Sequence, residues 1–141
     1  VRDMGRLDWA LVMSPSHPCV REQSLTEAFV SQYPAICLDD TSSVLPKRHT
    51  GHYASQRRLL LPNWYSAIEC LKNGVGVGYM PRHIAMPLIE SGELVEKILP
   101  DDKPLSQCCL VWRKDDNHKL IEWMVDYLGS SQQLHQDWLE Y

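Results

Sequence analysis

The densest set of ligand-competent groups in the chain is Asp39-Asp40-Thr41-Ser42-Ser43, directly after the apolar run Ala35 to Leu38. Carboxylates and hydroxyls in such a cluster cap a helix start, and the N–H groups exposed there receive an anionic or polar ligand. N-capping by itself uses one or two of these residues, not all. Trp64 and Tyr79 are aromatics expected at strand ends, where a planar ligand can stack or a core can pack. Gly78 lets a backbone approach closely, and Pro81 stiffens the wall beside it. Lys47 and Arg48 suit a bound anion or a solvated basic face. His49 and His52 are three apart, as some metal pairs are, but a third ligand of recognisable spacing is missing and the two cations beside them oppose a metal.

Other constellations fail in detail. Gly74-Val75-Gly76-Val77-Gly78 is no dinucleotide fingerprint, because the third glycine position falls on Tyr79 or Pro81. A helix cap followed by a tight strand explains it. There is no phosphate-binding loop and no G-x-S-x-G elbow. Cys19, Cys37, Cys70, Cys108 and Cys109 are odd in number and lack a C-x-x-C spacing, so a disulfide scaffold is not expected and a reducing cytoplasm fits. Cys37, Cys70 and Cys108 or Cys109 lie in apolar runs and read as buried thiols. His17, between Pro15 and Pro18, reads as structural. No catalytic residue, metal or cofactor is called for.

The elements that must hold the candidates alternate between strand and helix. Strands are expected at 7–13, 35–38, 57–61, 75–80, 94–99 and 107–112. Helices are expected from Ser24 or Thr26 to about Gln32, from the Asp39–Ser43 cluster to about Tyr53, from Asn63 through Lys72, and from Pro81 to about Glu90. Two more are expected at 117–128 and 132–141. Asn63 caps its helix and Gly74 closes it. Leu120, Ile121, Trp123, Met124, Tyr127 and Leu128 form a strong apolar stripe on the helix at 117–128. This alternation implies an α/β domain with a central, mostly parallel sheet flanked by helices. Ligands of such sheets sit beyond the carboxyl ends of the strands, here Leu38 to Ser42, Leu61 to Trp64 and Tyr79 to Pro81.

The chain has 141 residues, 44% of them hydrophobic and 23% charged, which suits one folded domain or part of a longer protein. A net charge of −4 makes it a poor DNA binder by itself. No apolar run approaches the roughly 20 residues needed to cross a bilayer, and no N-terminal signal pattern is visible. Starting at Val1 rather than Met, the chain reads as a fragment.

The order of these features resembles the effector-binding domain of LysR-type transcriptional regulators. Leu7 to Pro18 is similar to the family's first hinge strand and its His-Pro end. Ala67 to Pro81 resembles the family's helix, glycine strand and proline. Ile84 to Val95, with Ser91-Gly92-Glu93-Leu94-Val95, matches the next helix and strand start, and Leu110 to Lys114 looks like the return hinge strand. Asp40-Thr41-Ser42, Leu45, Lys47-Arg48 and Trp112-Arg113-Lys114 resemble a branch responsive to purine nucleosides or allantoin. Cys19 departs from the leucine usual there, without bearing on ligand binding.

The resemblance implies two α/β subdomains joined by two crossing strands, in the manner of periplasmic binding proteins, with the effector between them. On that basis 7–18 is the first hinge strand, 19–105 subdomain II, 106–114 the return hinge strand and 115–141 a C-terminal helical segment. The winged helix-turn-helix and most of subdomain I are then absent. The implied function is sensing a small-molecule effector for a cytoplasmic, oligomeric DNA-binding regulator, without catalysis. Expected effector contacts are Asp40, Thr41, Ser42, Trp64, Gly78, Tyr79 and Pro81. DNA is met only through the missing N-terminal domain, and no membrane is involved. The stripe at 120–127, having lost part of its cover, is expected to self-associate to a dimer or tetramer. The rival reading is an exported, periplasmic-type solute-binding protein. A small hydrolase or transferase finds no assembled constellation to support it.

Overall fold

In the computed structural model of the chain, residues 1–40, 42–44, 53, 56–100, 105–115 and 118–141 are described. Strand β1 (Arg2–Met13) organises them by changing partners midway. From Arg2 to Asp8 it runs antiparallel to β6 (Leu105–Leu110), ending on the pair Asp8↔Leu105. From Trp9 it runs antiparallel to β4 (Gly78–Pro81), and from Leu11 to β5 (Val95–Lys97) on its other side. The chain divides accordingly into two compact units, one of Val1–Asp8 with Pro104–Tyr141 and the other Trp9–Lys103.

The larger unit carries the parallel pairing. Strands β2 (Ala35–Leu38) and β3 (Arg58–Leu61) run parallel in full register, and Ala35 also bridges Val77 in parallel. The expected mostly parallel sheet is therefore corrected to a mixed one. Pairing is parallel among β2, β3 and the segment entering β4, and antiparallel around β1. The strand expected at 75–80 is found at Gly78–Pro81, and Gly76 and Gly78 press against β2 and the residue before it. A Cβ on Gly76 would sit 2.2 Å from the Pro34 carbonyl oxygen, and one on Gly78 would sit 2.7 Å from that of Ile36. These glycines allow sheet packing, not nucleotide approach.

Alternation along β1 splits the core. Ala10 and Val12 join Ile36, Ala67, Leu71, Met80, Ala85 and Leu94 on one face. Leu11 and Met13 join Cys19, Leu25, Val30, Val77 and Leu99 on the other. Helix α3 (Trp64–Lys72) covers the first face with Ala67 and Leu71. Asn63 accepts the Ser66 N–H at 2.9 Å as its cap, and Gly74 closes it at φ +73°. Helix α4 (Arg82–Glu90) buries Ala85 on the same face. Two one-turn helices, α1 (Pro18–Arg21) and α2 (Glu27–Val30), serve the second face. Helix α1 is absent from the sequence-based expectation, although His17-Pro18 carries its signal, a capping side chain followed by proline at the first helical position.

In the smaller unit, α5 (Lys119–Leu128) and α6 (Ser131–Trp138) follow β6. Arg2 donates to the carbonyls of Val125 and Gly129 at the C-terminal end of α5, and its guanidinium lies over Trp112. That cation therefore meets the negative end of the helix dipole. Strand β6 stops at Leu110, so the expected return strand reaches less far toward Lys114. Among the described residues no helix is long and apolar enough to cross a membrane.

Candidate functional site

Strands β2 and β3 run parallel, and the segment entering β4 runs parallel to β2, so their carboxyl ends lie at one edge of the sheet. Residues from three connections meet there. At the end of β2, Asp39 N–H donates to the Leu61 carbonyl at 2.9 Å, tying that end to β3. The next residue, Asp40, accepts the Ser42 N–H on Oδ1 at 2.9 Å, which folds the cluster into an Asx turn. Trp64 opens α3 behind the Asn63 cap. Pro81 ends β4 and stands opposite Trp9. The Trp9 and Trp64 rings meet with centroids 6.2 Å apart and planes tilted by 50°.

The structure thus brings Asp40, Ser42, Trp64 and Pro81 to one edge. Thr41, Lys47, Arg48, His49 and His52 lie outside the described residues, as does the helix expected up to Tyr53. Tyr79 is not joined to Trp64. It pairs with Leu11 and packs against the second core face, whereas Trp64 packs against the first. Gly78 is buried, with its missing Cβ facing Ile36 and Leu71. Trp9 is the edge residue that sequence reasoning missed. In sequence it reads as one more residue of a strand, and its signal is an indole within the expected hinge strand.

The polar groups behind this edge are structural. Gln56, 6% exposed, donates to the carbonyls of Val30 and Tyr33 and accepts the Tyr53 N–H, joining α2 to the segment before β3. His17 is buried, accepts the Cys19 N–H on Nδ1 and meets the edge of Tyr33 at 4.6 Å. Burial pushes its pKa below the ordinary histidine value. Burial, reinforced by Glu22 and opposed by Lys97, pushes the Cys19 thiol up to about 11. The Cys37 thiol is also raised by burial, against Arg58. These two sulfurs are poor nucleophiles. Buried-thiol expectations hold for Cys37 but not for Cys70 or the β6 pair, since Cys70 and Cys108 are half-buried and Cys109 exposed. Among the described residues no group of three histidine, cysteine or acidic side chains could hold a metal. Beside the edge, Arg82 is engaged by Glu96 at 2.6 and 3.0 Å.

The family model described as the LysR substrate binding domain matches residues 1–133. The chain belongs to this LysR family. It is 34% identical over 139 residues to the HTH-type transcriptional regulator PunR of Escherichia coli strain K12, covering 98% of this chain and 45% of PunR. It is 32% identical over 123 residues to the HTH-type transcriptional activator AllS of Salmonella typhi, covering 86% of this chain and 40% of AllS. The LysR-family chain therefore spans less than half the length of these curated relatives. In fold it is similar to the regulatory domain of MetR, a LysR family regulator from N. meningitidis, with a TM-score of 0.63 at 14% identity over 96% of this chain and 64% of that one. It is also similar to full-length LysG from Corynebacterium glutamicum, with a TM-score of 0.58 at 15% identity over 94% and 44%. The relatives are transcriptional regulators, and none of these likenesses favours the solute-binding rival.

Proposed function

We propose that this chain is the effector-sensing portion of a LysR-type transcriptional regulator, and that a small molecule binds at the carboxyl edge built by Asp40, Ser42, Trp64 and Pro81, with Thr41 as a further contact expected from the sequence. The observation that carries this reading is the convergence of three strand ends on that edge, where open α/β sheets hold their ligands. In keeping with the change of partner in β1, residues 7–18 and 106–114 are hinge segments around a ligand-binding subdomain at 19–105. The effector belongs to the purine nucleoside or allantoin class, in keeping with the likeness to PunR and AllS.

The mechanism is a population shift. The effector favours one hinge state, which alters the spacing of DNA-binding heads carried by other parts of an oligomeric, cytoplasmic, non-catalytic protein. Gly78 and Tyr79 then support the edge from within the sheet, Gly78 by close packing and Tyr79 through the second core face.

Effector dose response in the full-length regulator tests this reading. Thr41→Ala or Ser42→Ala shifts the half-maximal effector concentration upward by about threefold or more, the scale of one lost hydrogen bond. Thermal unfolding stays unchanged. An unaltered dose response removes these residues from the site.

A further inference from the structure

Trp9 has two properties that a core residue of a strand does not need. It is the first residue of β1 to pair with β4, directly after the last pair with β6, so it sits where the strand changes partners. It is also only half-buried, and its indole meets the half-buried indole of Trp64 at the first turn of α3. Trp64 packs against the first core face, yet each ring keeps part of its surface exposed, as Leu11 and Met80 do not. Two tilted indoles at one sheet edge offer an extended π surface, and such surfaces take flat rings by stacking. Arg82, which follows Pro81 at this edge, is engaged by Glu96, so the pair offers no uncompensated charge to a charged ring.

We propose that Trp9, together with Trp64, is a ligand-stacking residue for a neutral, flat heteroaromatic ring. The inference rests on the reading that the effector sits at the carboxyl edge, and adds a residue and a ligand chemistry to it. Because Trp9 also stands where β1 changes partners, a ring stacked on it bears directly on the hinge strand.

The test uses the full-length regulator labelled with 5-fluorotryptophan, with each resonance assigned by a single Trp→Phe replacement. Inosine is the neutral flat-ring probe, and allantoin is the probe without an aromatic ring. The expected result is that inosine moves the Trp9 and Trp64 resonances and leaves those of Trp123 and Trp138 in place. Trp9→Leu then weakens inosine binding by on the order of tenfold or more, the scale of one base–aromatic stack, while Trp9→Phe largely preserves it. Inosine binding with the Trp9 and Trp64 resonances unmoved overturns the proposal. So does a Trp9→Leu affinity within about twofold of the parent, or no inosine response at about 10 mM. Should Trp9→Leu fail to fold, the spectra of the unmutated chain decide. If inosine gives no response while allantoin binds, with Ser42→Ala weakening it and Trp9→Leu not, the stacking proposal fails and the edge reading stands. If neither variant alters the binding of either probe, both fail.

Discussion

The two compact units spend their apolar residues differently. Within Trp9–Lys103, two faces of one sheet are covered, and Val12, Met13, Cys19, Ala67, Met80 and Ala85 have essentially no exposure. In the other unit Leu134 is the one fully buried apolar side chain among the described residues. Helix α5 buries none of its residues completely. Leu120, Trp123, Met124 and Tyr127 remain 62%, 58%, 51% and 74% exposed, although their spacing is the most strongly amphipathic in the chain. Trp123 and Tyr127 stack on each other, with centroids 5.2 Å apart, in the open. An amphipathic stripe therefore reports that a helix face needs cover. It does not report that the cover lies within the same stretch of sequence.

The sharpest way to break this contrast is to cut side chains from each region. Leu71→Ala, in the covered face, is expected to cost about 2–5 kcal/mol, from lost transfer energy and the cavity left behind. Denaturant unfolding measures it, and a cost near zero would mean that the first core face is loosely packed.

A medium effect comes from acid. His17 and His83 have pKa values lowered by burial, while the unfolded chain takes up protons near the ordinary value of 6.5. The unfolded state thus binds more protons below that value, and stability falls with pH from about 6.5 down to the lowered folded value. Both residues lie in the larger unit, so its unfolding should carry the slope. His17→Gln, which retains an acceptor for the Cys19 N–H, should remove part of it. An unchanged slope would place the acid sensitivity elsewhere.

The smallest effect on stability is expected on α5. Met124→Gln should change it by less than about 0.5 kcal/mol, because the side chain gains little from folding where it stands. The same substitution should reduce concentration-dependent association in sedimentation velocity, since a contiguous apolar patch seeks a partner. A large loss of stability with no change in association would reverse the contrast between the two units.

Local signals made much of the fold legible. The run Ala35 to Leu38 is a strand with those bounds, and Asn63 through Lys72 is a capped helix closed at Gly74. Apolar spacing, a capping amide and a glycine at positive φ are chemically local, so they can be read one segment at a time. The start of β1 was not legible. Arg2-Asp3-Met4-Gly5-Arg6 carries no apolar alternation, and it is a strand because β6, about a hundred residues later, supplies its hydrogen bonds. Helix α1 was missed because four residues are too short for a periodic signal.

The candidate edge was legible in part for the same reason. Asp40, Ser42, Trp64 and Pro81 follow strand ends, which sequence locates. Whether they meet depends on which strands run parallel. Trp64 and Tyr79 look alike in sequence, as aromatics near strand ends, yet Tyr79 reaches the second core face by side-chain alternation along β4, whereas Trp64 opens the helix that covers the first. The sequence by itself determined the α/β class, the caps, the apolar faces and the family. Tertiary structure alone decided that β1 changes partners at Trp9, that Gly78 serves the sheet, and that Trp9 joins Trp64. Those outcomes depend on contacts between distant segments, and no local pattern of residues encodes which distant segment will arrive.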